Sequence, residues 1–131
     1  MDGETDLTKL LREMNPELHA GDFVFCSIEA RDLPAIIEPL GLFREKEGLT
    51  VILSNAEADQ LGWPYSFIGG WITLNVHSAL DAVGLTAAVS QALTRAGISC
   101  NVVAAYYHDH VFVPLKDAER ALEVLQSLTR T

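Results

Sequence analysis

Asp81-Ala82-Val83-Gly84-Leu85 is the stretch whose residue types are best suited to hold a charged small molecule. Gly84 opens an alanine-rich amphipathic run. The first backbone N–H groups of a helix, with the positive end of its dipole, would therefore face whatever sits there, and a carboxylate suits them. Glycine has no side chain to block close approach. Asp81 can accept from an ammonium group. An α-amino acid carries both charges side by side, so it fits the pair. The alternative is purely structural: Asp81 caps the helix and Gly84 relieves a tight strand-to-helix turn. Asn75, His77 and Ser78 end the preceding strand and are placed for further polar contacts.

His108-Asp109-His110 is the second cluster. Histidines two apart share a face of a regular strand and could share a metal. Two histidines without a third ligand fall short of a catalytic zinc site, and turn chemistry accounts for Asp109 between apolar strands. The turn reading is preferred, and no metal or cofactor is expected. No catalytic constellation stands out, so no catalytic residue is assigned and the chain is not expected to be an enzyme.

The elements that must position these residues follow from hydropathy and turn signals. Leu7, Leu10, Leu11 and Met14 form one stripe of a short helix capped by Asp6, an arm suited to cover a sheet face. A strand is predicted at Phe23–Ile28, then a helix from Leu33-Pro34 to Leu40 carrying Ile36 and Ile37 and ending at Gly41. A hairpin around Lys46-Glu47-Gly48 and a helix from Ala56 to Leu61, capped by Asn55, complete the first half. Trp63 to Gly70 reads as a packed connector whose Trp63, Tyr65 and Phe67 plug the seam between halves. The second half repeats the order: strand Trp71–His77, helix Gly84–Ala96 closed by Gly97, strand Ile98–Tyr107, return strand Val111–Leu115, and a helix after Asp117.

Each half reads βαββα, an internal repeat of architecture. The predicted fold is α+β: tandem ferredoxin-like halves, with antiparallel sheets and helices on one face. The halves are residues 1–62 with the leading helix and residues 71–131, joined by the connector 63–70. Where each half finds its closing strand is left open by the sequence.

Composition narrows the partners. The net charge is −9, and nine Lys and Arg are scattered singly. That argues against nucleic acid, an RNA-recognition role and anionic lipid, which need clustered cations. An acylphosphatase-like phosphate cradle is also unsupported, since Arg31 is the one basic residue in the first strand-to-helix loop. No apolar run approaches the ~20 residues that span a bilayer. The acidic start, MDGETDLTK, is unlike a signal peptide. Cys26 and Cys100 sit in apolar strand patterns, as reduced thiols of a cytoplasmic protein.

The run LNVHSALDAVGLTAAVSQALTRAGISC resembles the signature of the ACT domain, a regulatory amino-acid-binding module. The resemblance rests on the strand Leu74–Val76, the Asp-x-x-Gly-Leu turn Asp81–Leu85 and the step Ala96–Ile98. It covers Trp71 to about Leu128, and the first half matches in architecture. With Glu47 to Asp59 and VVAAYYHDHVFVP, the whole chain is similar to small bacterial tandem ACT proteins, and in plan to the ACT repeats of arginine-sensing proteins. The resemblance implies an amino-acid sensor that acts through ligand-dependent packing of its modules, read by a homo-oligomer or a regulated protein partner. A ligand-free interaction module is the alternative. Since ligands in the family often sit where modules meet, Ser54 and Asn55 become secondary candidates beside the loop set. Val83 stands where the family usually has proline, and no catalytic domain in the same chain is expected to receive the signal.

Overall fold

In the computed structural model, which describes residues 3–130, the chain divides into two compact units. One is Gly21–Gly69; the other comprises the residues before and after it.

In the Gly21–Gly69 unit, β2 (Phe23–Ile28) lies antiparallel to β4 (Leu49–Ser54), in register from Phe23 opposite Ser54 to Ile28 opposite Leu49. β3 (Gly41–Arg44) covers the far side of β4. β5 (Ile68–Leu74) begins here, with Ile68 and Gly69 opposite Val24 and Phe23. Alternation sets the core: Val24, Cys26, Val51 and Leu53 turn to one face and bury with Ala58 of α2 (Asn55–Leu61). Trp63 and Tyr65 pack against that cluster, and Phe67 meets the Phe25 ring edge-on at 6.0 Å.

The helix expected from Leu33 to Leu40 is absent. A single 3-10 turn, Ala30–Asp32, follows β2, and residues 33–40 are non-helical. The second proline explains this. Pro39 would sit inside the helix without an N–H, and its ring pushes Glu38 out of the helical region. Ile36 is left 91% exposed, and Gly41 opens β3 instead of closing a helix.

The second unit holds α1 (Leu7–Arg12), β1 (Pro16–Leu18), most of β5, α3 (Leu85–Arg95), β6 (Asn101–Ala104), β7 (Asp109–Pro114) and α4 (Ala118–Leu128). β5 neighbours β7, and β7 pairs antiparallel with β6. β1 pairs antiparallel with β5 on its other side, from Pro16 opposite Leu74 to Leu18 opposite Ile72. The closing strand of each unit is therefore found: the start of β5 serves one, and β1 serves the other. Ile72, Leu74, Val111 and Val113 bury against Leu85, Val89 and Leu93 of α3 and Ala121 and Leu125 of α4. Leu10 and Met14 of the leading segment join this core with no exposed surface. Burying each contributes roughly 1.5–3 kcal/mol, which holds the arm down. Gly70 lets α4 approach, because a Cβ there would stand 2.8 Å from Cβ of Ala118. The hairpin turn falls two to three residues earlier than expected: β6 ends at Ala104, not Tyr107. Ala105 N–H donates to His108 O (3.1 Å), and β7 already starts at Asp109. Among the described residues, no helix is long and apolar enough to cross a membrane.

Candidate functional site

The loop between β5 and α3 is built jointly with the leading arm. β5 ends at Leu74, so Asn75, His77 and Ser78 lie beyond it. Glu4 bridges Ser78: its N–H donates to His77 O (2.8 Å), and Ala79 N–H donates to Glu4 O (3.0 Å). Gly3 lies so close that a Cβ on it would meet the Ala79 nitrogen at 2.4 Å. Asp6 starts α1 by accepting from Thr8 N–H (3.0 Å), and the α1 side chain Leu7 then covers Gly84. A Cβ at Gly84 would come within 2.9 Å of Leu7 Cδ2, and its φ of 106° is itself a glycine conformation.

Asp81 does not cap α3. The N-cap is Gly84, and no side chain accepts from the first N–H groups. These groups lie at a cavity of about 100 Å³ lined by Gly84, Ser78, Thr86 and Asp109. A larger open groove of about 410 Å³ is lined by Gly3 and Thr5 of the arm and by His77, Leu80, Asp81 and Tyr106. Both cavities share Ala79 and Leu80. Tyr106, Tyr107 and His77 cluster at one end of the groove, with the tyrosine rings 4.9 Å apart and His77 5.1 Å from Tyr107.

The remaining candidates separate. Asn75 is committed to structure, donating through Nδ2 to Asn15 O (3.3 Å) and Glu17 Oε1 (3.0 Å). The Leu85 side chain belongs to the core, which leaves its N–H for a ligand. Val83 is exposed. Ser54 and Asn55 lie in the Gly21–Gly69 unit. Ser54, not Asn55, caps α2: its hydroxyl accepts from Glu57 N–H (3.2 Å) and donates to Glu57 Oε1 (3.1 Å), a reciprocal capping pair. The Tyr65 hydroxyl donates to Asp59 Oδ1 of the same helix (2.9 Å).

The His-Asp-His cluster splits across the sheet. His110 accepts from Trp71 Nε1–H (3.0 Å) and meets Thr73 Oγ1 (3.0 Å). His19 stacks on Trp71 at 3.7 Å and reaches the same hydroxyl (2.7 Å). Burial, then His108 and His19, lower the His110 pKa. Asp109 points the opposite way, with Val111 and Val113, and is only 9% exposed. Burial pushes its carboxyl above the usual carboxylate value, against an opposing pull from His108.

A family model described as ACT domain matches residues 2–69, and a second ACT domain model matches residues 66–127. The chain belongs to the ACT domain family. ACT domains are regulatory, ligand-binding modules, and this chain carries two in tandem. The matches overlap where β5 begins, the strand that closes one unit and continues into the other. A crystal structure from Vibrio cholerae, of a protein of unknown function described as a possible transport protein, is 46% identical. Its TM-score is 0.81 over 94% of this chain and 95% of that one. An Agrobacterium tumefaciens protein is 19% identical, with a TM-score of 0.66 over 87% of each chain. The regulatory subunit of aspartate kinase from Thermus flavus is 11% identical, with a TM-score of 0.63 over 86% of this chain and 95% of that one. These two share the fold. No curated protein sequence matches the chain.

Sequence reasoning missed Asp109 and Tyr106 as lining residues. The signal for Asp109 was present: strand alternation carried back from Val113 and Val111 reaches it at the next inward position.

Proposed function

We propose that this ACT protein is a small-molecule sensor whose ligand is a free amino acid bound at the β5–α3 loop. The observation that carries the reading is the uncapped start of α3 at Gly84, which opens into a cavity beside the groove formed by arm and loop. Backbone N–H groups at Gly84 and Leu85 would receive the carboxylate. His77, Ser78 and Asp81 supply polar contacts, and Val83 forms an apolar lip. Asn75 positions the loop by tying it to β1. Ser54 and Asn55 are set aside as ligand contacts, because α2 is short and already capped by Ser54.

The proposed mechanism is a population shift. A ligand in the groove touches both the arm, at Gly3 and Thr5, and the loop, at His77 and Asp81. It favours the docked arm by the difference in affinity between docked and undocked states. A second copy or a regulated protein then reads the arm. The competing reading is a ligand-free interaction module, favoured by the apolar side chains on the outer strand β3, where Phe43 is 72% exposed.

A thermal-shift screen of the full chain against the twenty amino acids separates the two. One or a few should raise Tm by several degrees, since a hundredfold excess over Kd contributes ~2.7 kcal/mol. Asp81→Ala should shrink that shift without altering the unliganded Tm, because Asp81 is exposed and caps nothing. A flat response to all twenty at millimolar concentration sinks the sensor and leaves the interaction module.

A further inference from the structure

Asp109 is the least expected residue of the second unit. It sits on the face of β7 that carries Val111 and Val113, both wholly buried. A carboxylate there is costly unless it is paired. The Asp109 carboxylate takes no hydrogen bond from the protein among the described residues, and its oxygens reach the cavity and are not sealed in the core. Its side chain lines the same small cavity that receives the uncapped N-terminus of α3. Two features of opposite sign thus share one cavity: helix N–H donors without a side-chain acceptor, and a carboxylate without a protein donor.

We propose that Asp109 is the ammonium receptor of a zwitterion site whose carboxylate receptor is the N-terminus of α3. The inference rests on the amino-acid reading above and makes it specific. The ligand's α-ammonium sits on Asp109, with Ser78 Oγ as a second acceptor at the cavity wall. Its carboxylate takes the N–H groups at the start of α3. Ser78 can serve because its own hydroxyl makes only a long contact, 3.4 Å to Ala79 O. A bare metal ion is a poorer match. It demands several protein ligands, and among the described residues no three His, Cys, Asp or Glu side chains come together. An α-ammonium has three N–H donors, which the two Asp109 oxygens and Ser78 Oγ can take.

Size agrees. About 100 Å³ is room for roughly three waters, against ~300 Å³ or more for a pocket that swallows a drug-sized ligand. It suits an amino-acid head group. The ligand's side chain leaves past Ala79 and Leu80 into the larger groove, where Asp81 is the one charged group lining the wall. The site therefore selects neutral and cationic side chains over acidic ones.

The test uses the full chain and calorimetric titration of whichever of the twenty amino acids stabilises it, next to its N-acetyl and carboxamide derivatives. Each derivative should lose about tenfold or more in affinity, the scale of a hydrogen bond to a charged group. Asp109→Asn should lose as much for the parent amino acid. Aspartate and glutamate should bind most weakly of the series. An N-acetyl derivative that binds as tightly as its parent overturns the assignment while leaving the sensor reading intact, as does an Asp109→Asn protein of full affinity. A carboxamide that binds equally well removes the zwitterion half. If Asp109→Asn fails to fold by circular dichroism, the derivatives decide on the unmutated chain. If no amino acid binds at all, the sensor reading itself fails.

Discussion

At the scale of single residues, Asp109 links pH to stability with a definite sign. Its carboxyl is raised from the ordinary 3.8 by burial, against the opposing pull of His108. A raised acid holds its proton more tightly when folded. Its contribution is therefore fully present below the unfolded value and is lost as pH rises through the folded one. At neutral pH the unliganded protein bears the cost of an ionised, buried carboxylate. Asp109→Asn should accordingly melt higher than the parent at pH 7, and the gap should close as pH falls below about 4, where both states of the parent are protonated. Thermal melts of both proteins from pH 3 to 7, without ligand, check this. A variant that melts lower at pH 7 would show that the carboxylate has found a stabilising partner. A residue that destabilises the empty protein is most easily understood as one kept for a ligand. The turn composition of His108-Asp109-His110 hid it, because aspartate in a turn needs no further reason. Position along the strand, not residue type, marks it as buried.

Among the elements, the βαββα order was legible wherever periodicity is undisturbed. Leu85, Val89 and Leu93 fall on one helical stripe, and all three are buried. Reading failed where a local signal was overridden. Leu33 to Leu40 has apolar residues at helical spacing, but Pro39 falls inside the run and it stays irregular. β1 was invisible because three residues carry no period, and only pairing with β5 makes them a strand. The candidate loop was legible at Asp81 and Gly84 but not in its covering, since no local pattern tells that Leu7 lies over Gly84. That contact can be tested by mutation. Gly84→Ala should cost about 1–3 kcal/mol, combining a left-handed φ with overpacking against Leu7. Leu7→Ala should remove the steric share, so the double variant should be more stable than the sum of the two single costs implies. Urea midpoints of the four proteins form the cycle. Strictly additive costs would mean that the two side chains do not meet.

For the whole molecule, the two family matches divide the sequence near residue 69, but compactness divides it differently. Residues before Gly21 group with the second half. The strand-and-helix order within each half is carried by local patterns. The grouping of the residues before Gly21 with the second half was not legible, because the burial of Leu10 and Met14 and the pairing of β1 with β5 are long-range contacts that no local pattern carries. The second unit buries thirteen apolar residues in its main cluster and the Gly21–Gly69 unit six, among the described residues. Two of the thirteen, Leu10 and Met14, come from the leading segment, as does the closing strand β1. Removing residues 1–20 therefore takes roughly 3–6 kcal/mol of side-chain burial from the second unit and leaves β5 without its β1 partner. Domain stabilities are of the order of 5–15 kcal/mol, so the loss is comparable to the whole. A chain starting at Gly21 should keep helical far-ultraviolet signal but lose cooperative unfolding, with collapse of the near-ultraviolet signal of Trp71, which stacks on His19. It should also lose every amino-acid-induced shift, because Gly3 and Thr5 leave the groove. If the shortened chain unfolds cooperatively within a few degrees of the full one, the arm is an accessory and residues 66–127 suffice as a module. If it does not, the leading twenty residues are part of the second ACT domain, and the ligand groove is assembled from both ends of that unit's sequence.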